Sequence, residues 1–455
     1  MDGYYANSSV TLNTNPAVNA DPLGLDWRRL ASFEFIVPAD LGDPYDPYDD
    51  VPSSYTQENG EVTISGASSR NYQISAKHNM RLIFKSRNSL RGDGIWLFNS
   101  KPFLASDNER FKQLQLRNPT QDSWTIRNRL GADPVSSRDR ATYIREVWAR
   151  NLFREMSPLP QPIDGGQPLV GLPEPEGNLT AHRRWVHLFI NGLYWGIYDL
   201  TERIDENFAR TYLDRNADYD VIKGNAGGTL EAVDGDFVEW NNLITACNNA
   251  AANDSSGTLW NGVTDLLDLT SYLDYMLVNL YMHNADWGSN GNNWRAIRRK
   301  APNSKFRFLI WDAEVAMNPP TLSDTYYDNS AGALRPHSIL KNHPDYQEAL
   351  QDRLDFHYDD SSGLFAITPG GNRAADVFQA AIDEVSPLMS LESARWGDAS
   401  KQPGETAYSY RVSDPSYLPG NDVGDFQRTS LFHRATFLPD RRAPFRTTIE
   451  SKLSE

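Results

Sequence analysis

The segment that most constrains this chain is residues 279–317, because it combines a helix end, an amide-rich loop and a hairpin. Its predicted elements are an apolar helix, an Asn-rich loop and two alternating strands, at residues 271–282, 290–293, 294–298 and 305–310. Two antiparallel strands joined as a hairpin bring their outer ends together. We therefore expect Asp286 and Asn293 before the hairpin to lie near Asp312 after it, close enough to share one metal ion.

Acids and amides in this order are typical of kinases. There, one Asp after a helix orients the attacking hydroxyl, an Asn a few residues later binds Mg²⁺, and a second Asp after a hairpin binds it as well. The His-Arg-Asp and Asp-Phe-Gly triplets of protein kinases are absent. Asp and Asn also mark ordinary turns, so the residues alone leave both interpretations open. A calcium loop starting at Asp286 is disfavoured, since its third and twelfth positions are Gly288 and Ile297.

Several motifs resemble the CotH kinase family, the spore-coat-protein-H-like atypical kinases. The central ones are Asn-Ala-Asp-Trp, Asn-Asn-Trp and Phe-Leu-Ile-Trp-Asp-Ala-Glu, at residues 284–287, 292–294 and 308–314. Further matches lie at residues 114–117, 122–124, 191–198, 201–203 and 393–398. The resemblance covers most of the chain from about residue 61 onward. The loop between Asp286 and Asn293 is longer than is usual in the family, so Asn292 is a second candidate for the metal-binding amide.

The resemblance implies an ATP-dependent protein kinase that transfers the γ-phosphate to Ser or Thr of a protein substrate. Asp286 is then the catalytic residue, and Asp312 with Asn292 or Asn293 binds Mg²⁺, with Mn²⁺ as an alternative. Glu314 either supports the metal site or only begins the next segment. There are two alternatives on the same fold. One is a catalytically silent module that binds nucleotide or other proteins as part of a larger surface protein, and the other is a nucleotidyl transferase. A glycoside hydrolase, suggested by twelve Trp and many carboxylates, is disfavoured only by the resemblance.

The nucleotide-binding residues are expected near the start of the matching region. In the family a Gly-Ser-Ser stretch followed by Lys lies near the nucleotide, which implies phosphate contacts for Ser68, Ser69 and Arg70. Lys77 is the expected phosphate-pairing lysine, with Lys85 as the alternative. A lysine on a solvated strand face is the competing interpretation for both, and we expect Lys77→Ala to weaken ATP binding without loss of the fold.

A predicted amphipathic helix at residues 140–156 carries Glu146. This carboxylate pairs either with the lysine, as in protein kinases, or with Arg150 one helical turn away. Asn191-Gly192 between two apolar runs predicts a hairpin. Its second strand ends at Glu202, which the resemblance places in the hinge that meets the adenine.

The expected fold is α+β, a two-lobed arrangement like that of atypical protein kinases. Strand patterns dominate before Glu202 and helical patterns after it. The predicted domains are an N-terminal arm and loop packed on the N-lobe, a strand-rich N-lobe and a helical C-lobe, at residues 1–60, 61–201 and 202–455. A chain of 455 residues is long enough for two or three such units.

The net charge of the chain limits the classes of molecule that it is expected to bind. A net charge of −16 argues against nucleic-acid binding and would steer a basic, Ser-rich protein substrate towards the molecule. No apolar run approaches the ~20 residues of a membrane helix. The single Cys247 excludes an internal disulfide framework. The start at Met1 resembles that of an excised fragment, so we expect a piece of a larger bacterial protein, exported or on the cell surface; location and oligomeric state stay open.

Overall fold

The computed structural model describes most of the chain. The described residues are 28–37, 54–66, 68–70, 75–84, 96–97, 102–103, 108, 110–125, 141–156, 178–225, 228–253, 257–317, 327–330, 332–359, 363–396 and 430–454. Lys85, residues 157–177 and most of the predicted arm at residues 1–60 lie outside them.

A six-stranded antiparallel sheet is the main β structure. Its strands are β1 (Arg29–Val37), β2 (Ser54–Ser65), β3 (Asn79–Ile83), β6 (Gln113–Arg117), β7 (Arg183–Ile190) and β8 (Leu193–Glu202), and β4 (Trp96–Leu97) and β5 (Arg110–Phe111) pair separately. The order across the sheet is β1-β2-β3-β6-β8-β7. Asn191 and Gly192 join β7 to β8 with φ of 50° and 77°, the left-handed values that a tight hairpin turn requires. The predicted hairpin is confirmed.

A second antiparallel sheet lies in the part of the chain that was predicted to be mainly helical. It consists of β9 (Tyr219–Gly224), β10 (Leu230–Asp234), β11 (Trp294–Arg299) and β12 (Arg307–Ile310), in the order β10-β9-β11-β12. The strand β10 pairs with β9 in a region where helical patterns were expected. The predicted hairpin of β11 and β12 is confirmed, with Trp294 opposite Ile310.

Helices make up most of the remaining described structure. They are α1 (Arg145–Glu155), α2 (Glu206–Tyr212), α3 (Val238–Asn253), α4 (Trp260–Thr264), α5 (Leu269–Tyr281), α6 (Ala285–Asn290), α7 (Arg335–Leu340), α8 (Pro344–Tyr358), α9 (Arg373–Val385), α10 (Met389–Trp396) and α11 (Leu438–Leu453). None of the helices in the described residues is long and apolar enough to cross a bilayer. The two sheets and these helices form a mixed α+β fold, as predicted.

Helix α5 is the centre of the largest hydrophobic core. Every residue from Ser271 to Tyr281 is buried, as expected for a helix that is apolar nearly all round. Asp268 caps its first turn by accepting a hydrogen bond from the backbone N–H of Ser271 at 3.2 Å. Because α5 is packed against α1, α8 and β12, its C-terminal end and the segment that follows have a fixed position.

Candidate active site

The hairpin of β11 and β12 positions an amide pair and a carboxylate at the same end. Asn292 and Asn293 come directly before β11, and Asp312 follows β12 by two residues, while Trp294 and Ile310 pair across the strands. Asn293 and Asp312 have φ of 61° and 58°, a conformation that residues other than Gly adopt at a cost of about 1–3 kcal/mol. Such strain is common at active sites and directs attention to this end of the hairpin.

Asp286 reaches the same end from the other side. It lies in the first turn of α6, which begins three residues after the cap of α5. The backbone N–H of Met317 donates to the carbonyl of Met282 at 2.8 Å, which fixes the segment after Asp312 to the end of α5. The Nδ2 of Asn293 donates to Oδ2 of Asp286 at 3.3 Å. Asp286 and Asn293 are thus in contact, while their expected closeness to Asp312 stays a prediction.

The side-chain amides of Asn292 and Asn293 differ in which of their polar atoms already have hydrogen-bond partners. Asn292 donates through Nδ2 to Oδ1 of Asn293 at 3.2 Å, so both polar atoms of Asn293 have partners. The Oδ1 of Asn292 is buried and accepts no hydrogen bond from any residue that the structure describes. A buried acceptor without a partner is costly, and a cation would satisfy it.

Arg117, at the end of β6, contacts the carboxylate of Asp312 and two further carboxylates. Its Nη2 lies 2.6 Å from Oε2 of Glu146, 2.7 Å from Oδ1 of Asp312 and 3.3 Å from Oε1 of Glu314. Glu146 also accepts the backbone N–H of Asp312 at 3.0 Å, and Glu314 accepts that of Gln121 at 3.0 Å. One oxygen from each of the three acids lies within 4.8 Å of the others. We call Glu146, Asp312 and Glu314 the carboxylate triad.

The electrostatics of the carboxylate triad follow from this crowding. Burial, then the charge of Asp312, raises the pKa of Glu314 well above its ordinary value. Burial alone would lower the pKa of Arg117, but the carboxylates of Glu146, Asp312 and Glu314 together raise it. Asp312 is the accessible member, since its side chain is 38% exposed against 5% for each of the other two acids. A ligand can therefore reach Asp312 without opening the core.

More cations lie beside the carboxylate triad. The guanidinium carbons of Arg117 and Arg295 lie 4.6 Å and 4.8 Å from the ring centroid of Trp311. Burial, followed by repulsion from Arg203, lowers the pKa of Arg295 to about 9. The desolvated guanidinium of Arg295, crowded by Arg203 and Arg117, would therefore favour a bound anion beside the triad.

Lys77 is completely buried and pairs with a residue far along the chain. Its Nζ lies 2.7 Å from Oε1 of Glu392 in α10 and 4.3 Å from the ring centroid of Tyr198, and it also donates to the carbonyl of Ile197. Burial lowers the pKa of Lys77, although Glu392 opposes that shift. Lys77 is therefore not on a solvated strand face, and the predicted pair of Lys77 with Glu146 is not formed.

Glu146 has arginine partners instead. Besides Arg117, it faces Arg150 one helical turn further along α1, at 3.5 Å. The second of the two predicted alternatives is therefore the one observed. The physical reason is local: both arginines already surround the carboxylate of Glu146, whereas Glu392 neutralises Lys77 elsewhere in the molecule.

The other predicted nucleotide-binding residues lie in two places. Ser68, Ser69 and Arg70 form a 3₁₀ turn after β2, and the carbonyl of Ser69 contacts Nδ1 of His78 at 2.8 Å. The Nε of Arg70 is buried and has no hydrogen-bond partner among the described residues. Burial also lowers the pKa of Arg70. This turn thus holds a guanidinium that an anion could satisfy.

Both oxygens of the Glu202 carboxylate accept hydrogen bonds. Its Oε2 accepts from the backbone N–H of His182 at 2.9 Å, and its Oε1 accepts from the hydroxyl of Tyr212 at 2.6 Å. Its backbone N–H donates to the carbonyl of His182 at 3.0 Å. These bonds fix the junction between β8 and α2, where the hinge was predicted.

No role could be predicted from sequence for Arg117, Arg295 or Glu392. Arg117 lies within a motif that resembles the family, and Glu392 directly precedes another, so motif membership was the one available signal. Neither strand periodicity nor spacing reveals which charges meet. The pairs of Arg117 with Asp312 and of Lys77 with Glu392 are separated by 195 and 315 positions.

The chain matches the model of a known protein family. The model of the family described as CotH kinase protein matches residues 62–331, more than half of the 455-residue chain. No curated protein matches the chain.

Proposed function

This chain belongs to the CotH kinase family, and from that premise we propose that it transfers the γ-phosphoryl group of ATP to a Ser or Thr hydroxyl of a protein substrate. The observation that carries the proposal is the β11–β12 hairpin: Asn292 and Asn293 directly precede β11, Asp312 follows β12, and the amide of Asn293 contacts the carboxylate of Asp286 at 3.3 Å. Kinase chemistry requires a hydroxyl-orienting Asp and oxygen ligands for a divalent cation within one site.

The residues at this end of the hairpin fit Mg²⁺. The available donors are a carboxylate and an amide oxygen, the hard ligands that Mg²⁺ prefers. Asp312 is partly exposed, and Oδ1 of Asn292 is buried without a partner in the described part of the chain. We assign Asp312 and Asn292 as ligands, with Asn293 as the alternative amide, and Mn²⁺ suits the same donors. When bound, the cation neutralises the charge on the phosphates.

Asp286 is proposed as the residue that orients and deprotonates the attacking hydroxyl. The amide of Asn293 holds one of its oxygens at 3.3 Å, which fixes the carboxylate on the side of the hairpin where the substrate would bind. Phosphoryl transfer depends chiefly on positioning and charge neutralisation. A small set of fixed side chains is therefore sufficient.

The nucleotide is proposed to lie between the two sheets, in a kinase-like, two-lobed arrangement. The turn of Ser68, Ser69 and Arg70 supplies phosphate contacts, supported by the unpartnered Nε of Arg70 in the described structure. The junction after Glu202 is the proposed hinge. Lys77 keeps its assignment to the phosphates as a proposal that requires its ammonium group to leave Glu392.

The decisive experiment separates metal binding from transfer. We expect Asp312→Ala to remove Mg²⁺-dependent ATP binding in calorimetry, whereas Asp286→Asn keeps binding but abolishes transfer to a Ser-rich basic peptide. Asp352→Asn, an exposed aspartate of α8, is the matched control and should leave both unchanged. Full transfer activity in either site variant would contradict the proposed roles.

The same assay identifies the other possible reactions. The mass added to the peptide distinguishes transfer of a phosphoryl group from transfer of a nucleotidyl group. Binding of Mg-ATP without any transfer to a panel of basic peptides would instead favour the silent module. Absence of Mg-ATP binding by the wild-type chain would refute the proposed function as a whole.

A further inference from the structure

The position of Arg117 in the chain is that of the lysine in kinases. In protein kinases a strand lysine pairs with a glutamate of a helix, and this pair accompanies the metal-binding Asp. Here β6 ends at Arg117, the next described α-helix is α1, and Glu146 lies in its first turn. After α1 the chain returns to the same sheet as β7 and β8. Lys77 lacks this relation, because its partner Glu392 lies in α10.

The contacts of Arg117 give it a definite task. One nitrogen, Nη2, touches all three members of the carboxylate triad, and Glu146 in turn accepts the backbone N–H of Asp312. Asp312 is thus held by its side chain and by its backbone in a left-handed conformation, with φ of 58°. Without a cation, three carboxylates within 4.8 Å would repel one another.

We propose, on the basis of the proposed function, that Arg117 is the positioning residue that takes over one part of the kinase strand lysine's role: it pairs with the helix glutamate, here Glu146, and orients Asp312 towards the metal, while contact with the phosphates stays assigned to Lys77. Its planar guanidinium suits this task because it can bond several carboxylates in fixed directions, whereas a lysine is a point charge. Arg117 acts through Asp312 and is the resident cation of the carboxylate triad.

The test compares Arg117→Lys with Arg150→Lys. Arg150 is the matched control, since it is also buried and also faces Glu146, but its closest partner is Asp199 at 2.9 Å rather than Asp312. ATP is titrated calorimetrically at a series of Mg²⁺ concentrations. We expect Arg117→Lys to raise the Mg²⁺ concentration for half-maximal ATP binding by at least about tenfold, and Arg150→Lys to leave it unchanged.

A second titration uses Mn²⁺ alone and needs no nucleotide. Arg117→Ala removes the one guanidinium that contacts all three carboxylates of the triad in the described structure, so we expect Mn²⁺ to bind at least about tenfold more tightly than to the wild type. Adding Asp312→Asn should abolish the gain. Circular dichroism checks that each variant is folded, and Arg117→Gln replaces Arg117→Ala if the latter is not.

The outcomes separate the two proposals. Equal Mg²⁺ dependence in the Arg117 and Arg150 variants would overturn the positioning role, as would an unchanged Mn²⁺ affinity after removal of Arg117. If the wild-type chain binds no ATP at any Mg²⁺ concentration, the proposed function fails. The Mn²⁺ titration then still decides whether Arg117 is the resident cation.

Discussion

Replacing Lys77 by Met is predicted to destabilise the fold strongly. Lys77 and Glu392 are both fully buried and 2.7 Å apart, and Oε2 of Glu392 also accepts the backbone N–H of Ile197 at 2.9 Å. Removing one partner of such a pair leaves an uncompensated buried charge, which typically costs about 3–5 kcal/mol. This expectation replaces the one from sequence, in which loss of the lysine left the fold intact.

A double-mutant cycle gives the magnitude. Lys77→Met and Glu392→Gln should each lower the free energy of unfolding by about 3–5 kcal/mol. The double variant carries no buried charge at this position, and the amide oxygen of the introduced glutamine remains an acceptor for the backbone N–H of Ile197. We expect its cost to be no greater than that of the worse single variant, so the two changes are strongly non-additive.

The assay is equilibrium urea unfolding followed by tryptophan fluorescence, with circular dichroism to check that both probes give one transition. The control is Lys223→Met, which breaks a pair with Glu231 at the same 2.7 Å between side chains that are 23% and 50% exposed. An exposed pair contributes about 0.2–1 kcal/mol. The reasoning is refuted if Lys77→Met costs no more than Lys223→Met, or if the two changes at the buried pair simply add.

Two further predictions concern packing and pH. Gly196→Ala should destabilise the protein by more than Gly192→Ala, although both glycines have a positive φ, of 110° and 77°. A Cβ at position 196 would lie 2.6 Å from Oε2 of Glu392, whereas nothing lies within 4 Å of a Cβ at position 192. Equal midpoints of urea unfolding for the two variants would contradict this prediction. Burial lowers the pKa of His337 to about 4 in the folded state, against about 6.5 in the unfolded state. Between these two pH values the unfolded state binds a proton that the folded state does not. The free energy of unfolding should therefore fall by about 3 kcal/mol as the pH drops from 6.5 to below 4. His337→Gln should flatten this slope in urea unfolding measured across that range, and an unchanged slope would show that His337 does not titrate in this way.

The sequence by itself determined the local elements around the site. The apolar helix α5, the hairpin of β11 and β12 and the turn at Asn191-Gly192 follow from periodicity and turn chemistry, which act over a few residues. The hairpin pattern predicted that Asp286 and Asn293 lie near Asp312; Asn293 contacts Asp286 in the structure, and the closeness of both to Asp312 stays a prediction. The strand β10 was missed because its neighbours, and not its own pattern, make it a strand.

The tertiary structure alone decided which charges pair. The sequence predicted that Glu146 pairs with Lys77 or with Arg150, and it predicted no partner for Arg117. In the folded chain Arg117 forms ion pairs with Glu146 and Asp312, while Lys77 forms one with Glu392. An ion pair depends on the distance between two side chains and on their burial, and no periodicity records either quantity for residues 195 or 315 positions apart.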